Sequence, residues 1–287
     1  MVSNEETVKT IQIESGRVIQ FLNGLAQESM ERATPCEMWS VGDMIAHLVW
    51  FAETYGGMME RGLRGDMSPP EGFPDPETIS RGEIEELYAR LAINRRKDLG
   101  PDLLDALNER YDWLNNMLMG IGSEDWEKPC QHTLWVRSVE SFLPTIIQEL
   151  AVHEWDIRSS LGSAPSLSAA SLPTLMGKLP LGKPHTNPRP WSLPFPTGPD
   201  SSMSLRYRFD LSGPGSAELD LVVEGDKTRL EDPAEVSADL HVTGDTSTFI
   251  LIMYERLSLD SAISNGRFTA EGDLELVATF DHWLATH

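Results

Sequence analysis

Apolar residues recur at helical spacing throughout the first 160 residues of the chain. One such stretch covers residues 5–32 and predicts a first long helix. A second helix is expected to start after Trp39, because Ser40 is a favourable N-cap and Asp43, three residues later, completes a variant of the capping box. Further helical patterns cover 80–99, 101–118 and 143–161. Four or five long helices joined by short and medium loops predict an up-down helical bundle.

Glycine and proline mark where these helices begin and end. The pair Gly56-Gly57 is expected to weaken the end of the second helix, because glycine lowers helix stability. A loop rich in proline and glycine follows at 65–76. Pro144 suits the first turn of the last helix, where its missing N–H has no helical partner to lose, and Gly162 is a favourable terminator.

The character of the chain changes after residue 162. Residues 163–200 are dominated by Ser, Ala, Leu and Pro, a composition that predicts a stiff, extended linker. Beyond it, residues 204–211 and 217–223 alternate or cluster like β-strands and are joined by the turn sequence SGPGS. The remaining predicted elements are a strand at 238–244, a helix at 245–257, a strand at 267–272 and a helix at 273–284.

These patterns predict a multidomain chain. An all-α four-helix bundle is expected at 1–162, the proline-rich linker at 163–200 and a small α+β domain at 201–287. The chain has 287 residues, of which 40% are hydrophobic, and this is enough to build a core in each domain.

Acidic residues outnumber basic ones, with 45 Asp and Glu against 23 Lys and Arg and a net charge of −22. Such a surface repels a phosphate backbone, and no basic stripe compensates for it, so no nucleic-acid partner is expected. Solubility is the simplest role for this acidity. A small anionic substrate would need a local cation to hold it, and a bound metal ion would supply one.

No apolar run reaches the roughly 18 residues that a membrane helix needs, and the N-terminus lacks a basic patch followed by an apolar stretch. Cys36 and Cys130 are the only cysteines. Two distant cysteines in a chain of this size are more typical of reduced thiols than of a disulfide framework. A cytoplasmic protein that does not contact a membrane is therefore expected.

Candidate chemistry is concentrated on the last predicted helix of the bundle. Glu149 and His153 are four residues apart, a spacing that stacks their side chains on one face. Ile146 and Ile157 share that side, so the pair is expected to point inward, where a carboxylate is costly unless it is paired or bound to a cation. His47 lies at the edge of the apolar stripe of the second helix and can reach the same place. Two imidazoles and one carboxylate are a common ligand set for zinc or another divalent metal and leave room for water or substrate.

The same residues also admit a purely structural interpretation. Glu149 and His153 can form a buried ion pair, and a single histidine such as His47 is commonly a hydrogen-bonded core residue. Cys130 and His132 form a CxH pair, but without further partners at metal-ligand spacing they are weak ligand candidates. The spacing alone leaves these interpretations open.

Two segments of the bundle resemble a known family. The stretch TPCEMWSVGDMIAHLVWF, followed about a hundred residues later by ELAVHEWDIR, is similar to the mycothiol-dependent maleylpyruvate isomerase family of DinB-like metal-binding bundles. The family pattern is a Trp about eight residues before a His on the second helix, then ExxxHxWD on the last helix. The matching positions are Trp39, His47, Glu149, His153, Trp155 and Asp156.

The resemblance, which covers residues 5–162, implies that His47, Glu149 and His153 bind the metal. This metal is zinc in the isomerase, with water in the remaining positions. Asp156 is then an outer partner that orients a histidine ligand or anchors the helix. A salt bridge with Arg158 is the alternative role for the Asp156 carboxylate.

The C-terminal stretch VTGDTSTFILIMYERLSLDSAISNGRFTAEGDLELVATF resembles the sterol-carrier-protein-type fold, which is often attached to these bundles. In the isomerase the small C-terminal domain contributes an arginine to the metal site. Arg256, at the end of a predicted helix, is the candidate catalytic residue here, and Arg267 is its rival. A surface cation is the alternative role for either arginine.

Two functions from different classes follow. The first is a metal-dependent isomerase or thiol S-transferase, in which the cation lowers the pKa of a small thiol such as mycothiol, or of water. The thiol would add to an electrophilic carbon of a small-molecule substrate, which is covalent catalysis with a borrowed nucleophile. The second is a binding protein for a lipid or another small molecule, with a structural metal. Residues 163–200 do not resemble the isomerase closely, so the substrate is left open, and so is the formation of a homodimer.

Overall fold

The computed structural model describes residues 3–68, 81–132, 136–163, 165–179, 204–225 and 227–285. The chain divides into two compact units, Met1–Leu167 and Ser168–His287. Most of the loop predicted at 65–76 lies outside the described residues, and so does the predicted linker beyond residue 179.

Long α-helices build the N-terminal unit. Those in the described residues are α1 (Asn4–Asn23), α2 (Val41–Leu63), α3 (Arg81–Leu99), α4 (Leu103–Met119) and α5 (Leu143–Ser160). Helix α1 packs against α4 and α5, and α2 packs against α3, α4 and α5, so their apolar faces meet in one core. The predicted all-α bundle is confirmed.

Serine caps determine where two of these helices begin. The Ser40 side chain accepts a hydrogen bond from the N–H of Asp43, and the Asp43 carboxylate accepts one from the N–H of Ser40, which completes the predicted capping box. Ser3 and Glu6 form the same motif at the start of α1. Each such cap contributes about 1 kcal/mol. Because His47 lies about two turns into α2, the Ser40 cap also determines where that ring is placed.

The first helix is shorter than its periodicity predicts. Helix α1 ends at Asn23 rather than near residue 32, and the N–H of Gly24 bonds back to carbonyls of the last turn. A separate 3-10 helix, Gln27–Glu31, accounts for the rest of the apolar pattern. An Asn-Gly pair at this point is a stop signal that outweighs the periodicity on either side of it.

The glycine pair in α2 does not end the helix. Helix α2 continues through Gly56-Gly57 to its end at Leu63. A Cβ at Gly56 would lie 2.4 Å from Cζ3 of Trp113, so glycine here permits α4 to pack closely against α2. The Gly56 position therefore serves tertiary packing, and the packing offsets the low helix propensity of glycine.

A short hairpin, which the sequence analysis did not predict, lies between α4 and α5. Strands β1 (Pro129–Gln131) and β2 (Val136–Ser138) pair antiparallel, and β1 packs against α2. The Cys130 side chain is fully buried in this contact. A Cβ at Gly62 of α2 would lie 2.2 Å from the Cys130 Sγ, so a second glycine makes room for the hairpin.

A mixed β-sheet forms the centre of the C-terminal unit. Its described strands are β3 (Ser204–Ser212), β4 (Ala217–Glu224), β5 (Lys227–Glu231), β6 (Leu240–Asp245) and β7 (Thr269–Gly272). The strand order is β5-β4-β3-β6-β7, with β3 and β6 parallel and the other neighbours antiparallel. The predicted α+β domain is confirmed. Edge strand β5 was not predicted, because its sequence KTRLE carries too many charges to give an apolar pattern.

Short helices accompany this sheet. Those in the described residues are α6 (Leu172–Gly177), α7 (Thr246–Met253), α8 (Leu259–Ser264) and α9 (Glu275–Ala285). Helix α6 lies inside the segment predicted as an extended linker; it packs against α7 and buries Leu172 and Leu175. Helix α7 ends before the predicted residue 257, and Glu255 beyond it has a left-handed backbone, with φ of 60°. None of the described helices in either unit is long and apolar enough to cross a membrane.

The two faces of strand β3 have different chemistry. Tyr207 and Phe209 are buried on the apolar side of the sheet. On the other side, Arg206 Nη1 lies 2.6 Å from Oδ2 of Asp220, and Arg208 Nε lies 2.8 Å from Oδ1 of the same residue. The two arginines that alternate with apolar residues in this strand are therefore held in ion pairs around one buried carboxylate.

Candidate metal centre

His47 is held on the inner side of α2. The residue is only 5% exposed. The ring of Trp39 lies 4.5 Å from the His47 ring, and the ring of Trp50 lies 5.7 Å from it, both measured between centroids. These aromatic contacts restrict rotation of the imidazole and so determine which nitrogen faces the neighbouring helix.

Glu149 and His153 project from α5 one turn apart, as their spacing predicts. The Nε2 of His153 lies 3.1 Å from Oε2 of Glu149, and the two side chains are 12% and 16% exposed. Ile146 and Leu150 on the same helix are fully buried. Two polar side chains are thus presented at the edge of an apolar core, where they need partners.

The three predicted ligands meet in one cluster although His47 comes from a different helix. The Nε2 of His47 lies 3.0 Å from Oε2 of Glu149, the same oxygen that faces His153. The two imidazole rings are 5.0 Å apart between centroids and nearly perpendicular, at 85°. One donor atom from each residue lies within 4.8 Å of the other two. The fold therefore brings together the residues that the sequence analysis singled out as a ligand set.

Asp156 is a direct partner of this cluster. Its side chain is fully buried, and its Oδ2 lies 3.0 Å from Nδ1 of His153. Arg158, the alternative partner considered for this carboxylate, instead pairs with Glu154 at 2.9 Å. A hydrogen bond from Nδ1 to Asp156 orients the His153 ring so that Nε2 faces Glu149.

Burial and mutual attraction oppose each other in these groups. Burial alone would raise the pKa of Glu149, but hydrogen bonds and charge from His153 and His47 outweigh it and hold the pKa well below its usual range. Burial lowers the pKa of His47, and the bond to Glu149 offsets only part of that effect. Burial also disfavours protonated His153, but Asp156 and Glu149 outweigh it and raise the pKa to about 9. The cluster thus stabilises one positive charge between two carboxylates, a charge that a metal cation would also provide.

The donor types in the cluster suit a divalent transition metal such as zinc, and two of the three donor separations can be compared with zinc geometry. Tetrahedral ligands at about 2.0–2.1 Å from zinc are about 3.3 Å from one another, and the N···O separations of 3.0 and 3.1 Å lie within about 0.3 Å of that value. The Nδ1 of His47 is buried and has no hydrogen-bond partner within the described part of the chain. The Nε2 of His47, 3.0 Å from Glu149 Oε2, is the nitrogen directed at the cluster.

The two candidate arginines belong to the C-terminal unit. The backbone N–H of Arg256 donates to the Leu251 carbonyl at 2.8 Å, and its guanidinium Nη1 donates to the Tyr254 carbonyl, also at 2.8 Å. The backbone N–H of Arg267 donates to the Ala262 carbonyl at 2.9 Å. Both residues are thus anchored at helix ends, and a role of either at the cluster of His47, Glu149 and His153 stays a prediction.

Cys130 and His132 belong to no group of three candidate ligands among the residues that the structure describes. The Nε2 of His132 lies 3.2 Å from the hydroxyl of Tyr55. Burial lowers the pKa of His132 to about 3, so the imidazole is neutral at ordinary pH. These contacts favour a structural role for His132.

Cys36 is a neighbour of the cluster that the sequence analysis did not identify. Its Sγ lies 3.8 Å from Oδ2 of Asp156, the carboxylate that holds His153. The contact joins residues 120 positions apart, so no local pattern predicts it. The one signal in the sequence is the position of Cys36 in TPCEMW, three residues before Trp39.

Two family models match the chain. The one described as the mycothiol maleylpyruvate isomerase N-terminal domain matches residues 11–158, just over half of the chain. The one described as the SCP-2 sterol transfer family matches residues 201–284. Among curated proteins, none matches the sequence significantly.

Solved structures with a similar fold include two of the mycothiol-dependent maleylpyruvate isomerase. One is 13% identical to this chain, with a TM-score of 0.57, and the alignment covers 89% of this chain and 90% of the isomerase chain. The other, a mutant of the isomerase, is also 13% identical, with a TM-score of 0.59, and the alignment covers 94% of this chain and 93% of the mutant chain. At 13% identity, the similarity to these two structures is evidence for a common fold only. Family membership is shown instead by the family model, whose match includes His47, Glu149 and His153. The chain belongs to the mycothiol maleylpyruvate isomerase N-terminal domain family.

Proposed function

We propose that this chain is a metal-dependent enzyme of the maleylpyruvate isomerase type. A divalent cation, zinc by the chemistry of the donors, is held by His47, Glu149 and His153 and activates a small thiol or water towards a small electrophilic substrate. The observation that carries the proposal is the convergence of two imidazoles and one carboxylate within 4.8 Å at the edge of the core. Family membership supports the reaction class.

A bound divalent cation lowers the pKa of a thiol or water that binds to it. The chain's own residues prepare the position for the cation. His47 and His153 present Nε2 atoms from two helices, and Glu149 supplies the negative charge between them. Asp156 orients His153 from the other side of its ring. Three protein ligands leave positions for the thiol or water and for the substrate.

Aromatic side chains limit the access of water to one side of this position. The rings of Trp39, Trp50 and Phe51 lie 4.5, 5.7 and 6.4 Å from the His47 ring. An apolar shell lowers the local dielectric constant and strengthens the attraction between a cation and its ligands. The shell also favours the flat, partly apolar body of a small organic substrate over a fully hydrated ion.

The charge of the chain bears on the substrate class. With a net charge of −22, the protein attracts a small carboxylate only where a local cation compensates. The metal is one such cation, and we propose Arg256 as the second, with Arg267 as its rival. Mycothiol is the thiol that family membership favours. A binding protein with a purely structural metal is less well supported, because a structural zinc site is normally closed by four protein ligands.

Metal analysis tests the central part of this proposal. The untagged protein should contain about one equivalent of zinc or a similar ion, measured by inductively coupled plasma mass spectrometry. The variants His47→Ala and His153→Ala should each lose it. His132→Ala is the matched control, because this histidine is buried but outside the cluster, and it should retain the metal. Wild-type protein that stays free of metal after reconstitution would overturn the proposal.

Activity assays then separate the thiol from water. Isomerisation of maleylpyruvate is measured with mycothiol, with another small thiol and without thiol. Thiol-dependent turnover that is lost in His153→Ala supports the proposal, whereas turnover that needs no thiol assigns the metal to water activation. Arg256→Lys and Arg267→Lys are compared in the same assay, and a loss of turnover in only one of them identifies the catalytic arginine.

A further inference from the structure

The His153 ring has carboxylate partners on both sides. Its Nε2 lies 3.1 Å from Glu149, and its Nδ1 lies 3.0 Å from Asp156. On the Nδ1 side a third group is present, because the Sγ of Cys36 lies 3.8 Å from Oδ2 of Asp156. The Cys36 Sγ, an Asp156 oxygen and a His153 ring nitrogen all lie within 4.8 Å of one another. His153 therefore belongs to two separate groups of metal-ligating side chains.

The segment before α2 holds Cys36 in this position. The N–H of Trp39 donates to the Cys36 carbonyl at 2.8 Å, and the hydroxyl of Thr34 donates to the same carbonyl at 3.2 Å. The Cys36 residue is partly exposed, whereas Asp156 beneath it is fully buried. The residue that carries the thiol is thus in contact with solvent, next to a carboxylate whose position is set by the core.

The donor atoms suit a thiophilic cation. For tetrahedral zinc, with Zn–S of about 2.3 Å and Zn–O or Zn–N of about 2.0–2.1 Å, the S···O separation is about 3.5 Å and the N···O separation about 3.3 Å. In this group the Cys36 Sγ lies 3.8 Å from Asp156 Oδ2, and the His153 Nδ1 lies 3.0 Å from the same oxygen. A thiolate makes the set softer than two imidazoles and a carboxylate, so it favours ions such as cadmium.

We propose that Cys36, Asp156 and Nδ1 of His153 form a second cation position, selective for thiophilic divalent ions, that competes with the first position for His153. A neutral imidazole has one free lone pair, so His153 serves one cation at a time. When a cation binds at this position, the thiol proton and the Nδ1 proton of His153 pass to solvent, and the Nε2–H donates a hydrogen bond to Glu149. If a cation has just left the first position, Nε2 takes up its proton from solvent. The competition rests on the proposed function, whereas the thiol-containing position stands without it.

Cadmium titration tests the second position. The metal-free, untagged full chain is titrated with Cd²⁺ while the ultraviolet charge-transfer band of cadmium thiolate is recorded. The band should appear in the wild-type protein and in Cys130→Ala. In Cys36→Ser the band should disappear and Cd²⁺ affinity should fall at least about tenfold, since losing a ligand costs no less than losing an outer partner. A wild-type protein without the band, or a band that persists in Cys36→Ser, would overturn the inference.

A measurement on the unsubstituted protein covers the case in which Cys36→Ser fails to fold. Cd²⁺ should slow alkylation of Cys36 by iodoacetamide, with the modified peptide quantified by mass spectrometry. Equal alkylation with and without Cd²⁺ contradicts the second position.

The competition has its own test on zinc-loaded protein. Added Cd²⁺ should release zinc to an indicator dye from the wild-type protein and should release less from Cys36→Ser; equal release refutes the competition. The variant His47→Ala lacks a ligand of the first position and should keep the cadmium band. A protein that shows the band but never binds zinc contradicts the proposed function alone, and one that binds zinc without the band contradicts this inference alone.

Discussion

Replacing Asp156 by asparagine tests how strongly the first metal position depends on the far side of the His153 ring. The carboxylate is fully buried, and its Oδ2 lies 3.0 Å from Nδ1 of His153. Asparagine keeps the shape and one acceptor oxygen but removes the negative charge. The variant should therefore fold normally and bind zinc more weakly.

The expected size of the loss follows from the role of an outer partner. Removing a group that holds a histidine ligand lowers metal affinity about 10–100-fold, or about 1.4–2.7 kcal/mol. Burial disfavours a positive charge at His153, and the hydrogen bond with Asp156 is the largest contribution that opposes this effect and raises the pKa. A partner with that influence on a proton should have a comparable influence on a metal cation, so we expect a loss towards the upper end of the range.

Zinc affinity is measured at constant neutral pH by competition with a chromophoric chelator. Asp220→Asn is the matched control, because Asp220 is equally buried but pairs with Arg206 and Arg208 in the C-terminal unit. That control should lower the stability of the protein and leave zinc affinity unchanged. If Asp156→Asn binds zinc as tightly as the wild-type protein, or if Asp220→Asn loses as much affinity, Asp156 does not act through the metal position.

Three further substitutions test packing and protonation. Gly56→Ala places a Cβ 2.4 Å from Cζ3 of Trp113, so chemical denaturation should show a loss of about 1–3 kcal/mol; no loss would mean that α4 can move away. Gly16→Ala adds a Cβ at an exposed position of α1 with no heavy atom within 4 Å, and the same measurement should show a gain of about 0.5–1 kcal/mol. Burial lowers the pKa of His132 to about 3 from an unfolded value of 6.5, so between these values the unfolded chain binds more protons than the folded one. Stability should therefore fall as the pH drops from about 6.5 towards 3, and it should fall less steeply in His132→Gln; equal slopes would exclude His132 as the cause.

Much of the bundle could be predicted because its signals are local. The capping box of Ser40 and Asp43 and the apolar stripe behind it involve residues within a few turns of one another, and they place the start of α2 correctly. The same locality applies to Glu149 and His153, whose common direction follows from helical spacing alone. Their meeting with His47 depends on how two helices pack. The apolar stripe of α2 allowed this meeting, and the family resemblance favoured it over the alternatives.

The elements that were not predicted depend on tertiary contacts. Helix α6 forms in a proline-containing stretch because Leu172 and Leu175 find an apolar surface on α7. Strand β5 is formed largely by charged residues and is held by its ladder with β4. Helix propensity alone suggests that Gly56 disrupts the helix, but in the structure Trp113 occupies the space that a side chain at this position would need. In each case the deciding contact lies far away in the sequence, where propensity and periodicity carry no information.

The surroundings of His153 show the same limit within the site. One partner of the ring, Glu149, is one turn away on the same helix, and a second, Asp156, is three residues on, so both are accessible to helical reasoning. Cys36 comes from the non-helical segment before α2, and its contact with Asp156 spans 120 positions. Without that contact, the Nδ1 side of His153 only orients the ring for the first metal position. With it, Nδ1 also belongs to the proposed second cation position. Helical spacing can thus predict that Glu149, His153 and Asp156 lie close together, but the choice between one and two cation positions depends on a thiol that only the folded chain brings to the ring.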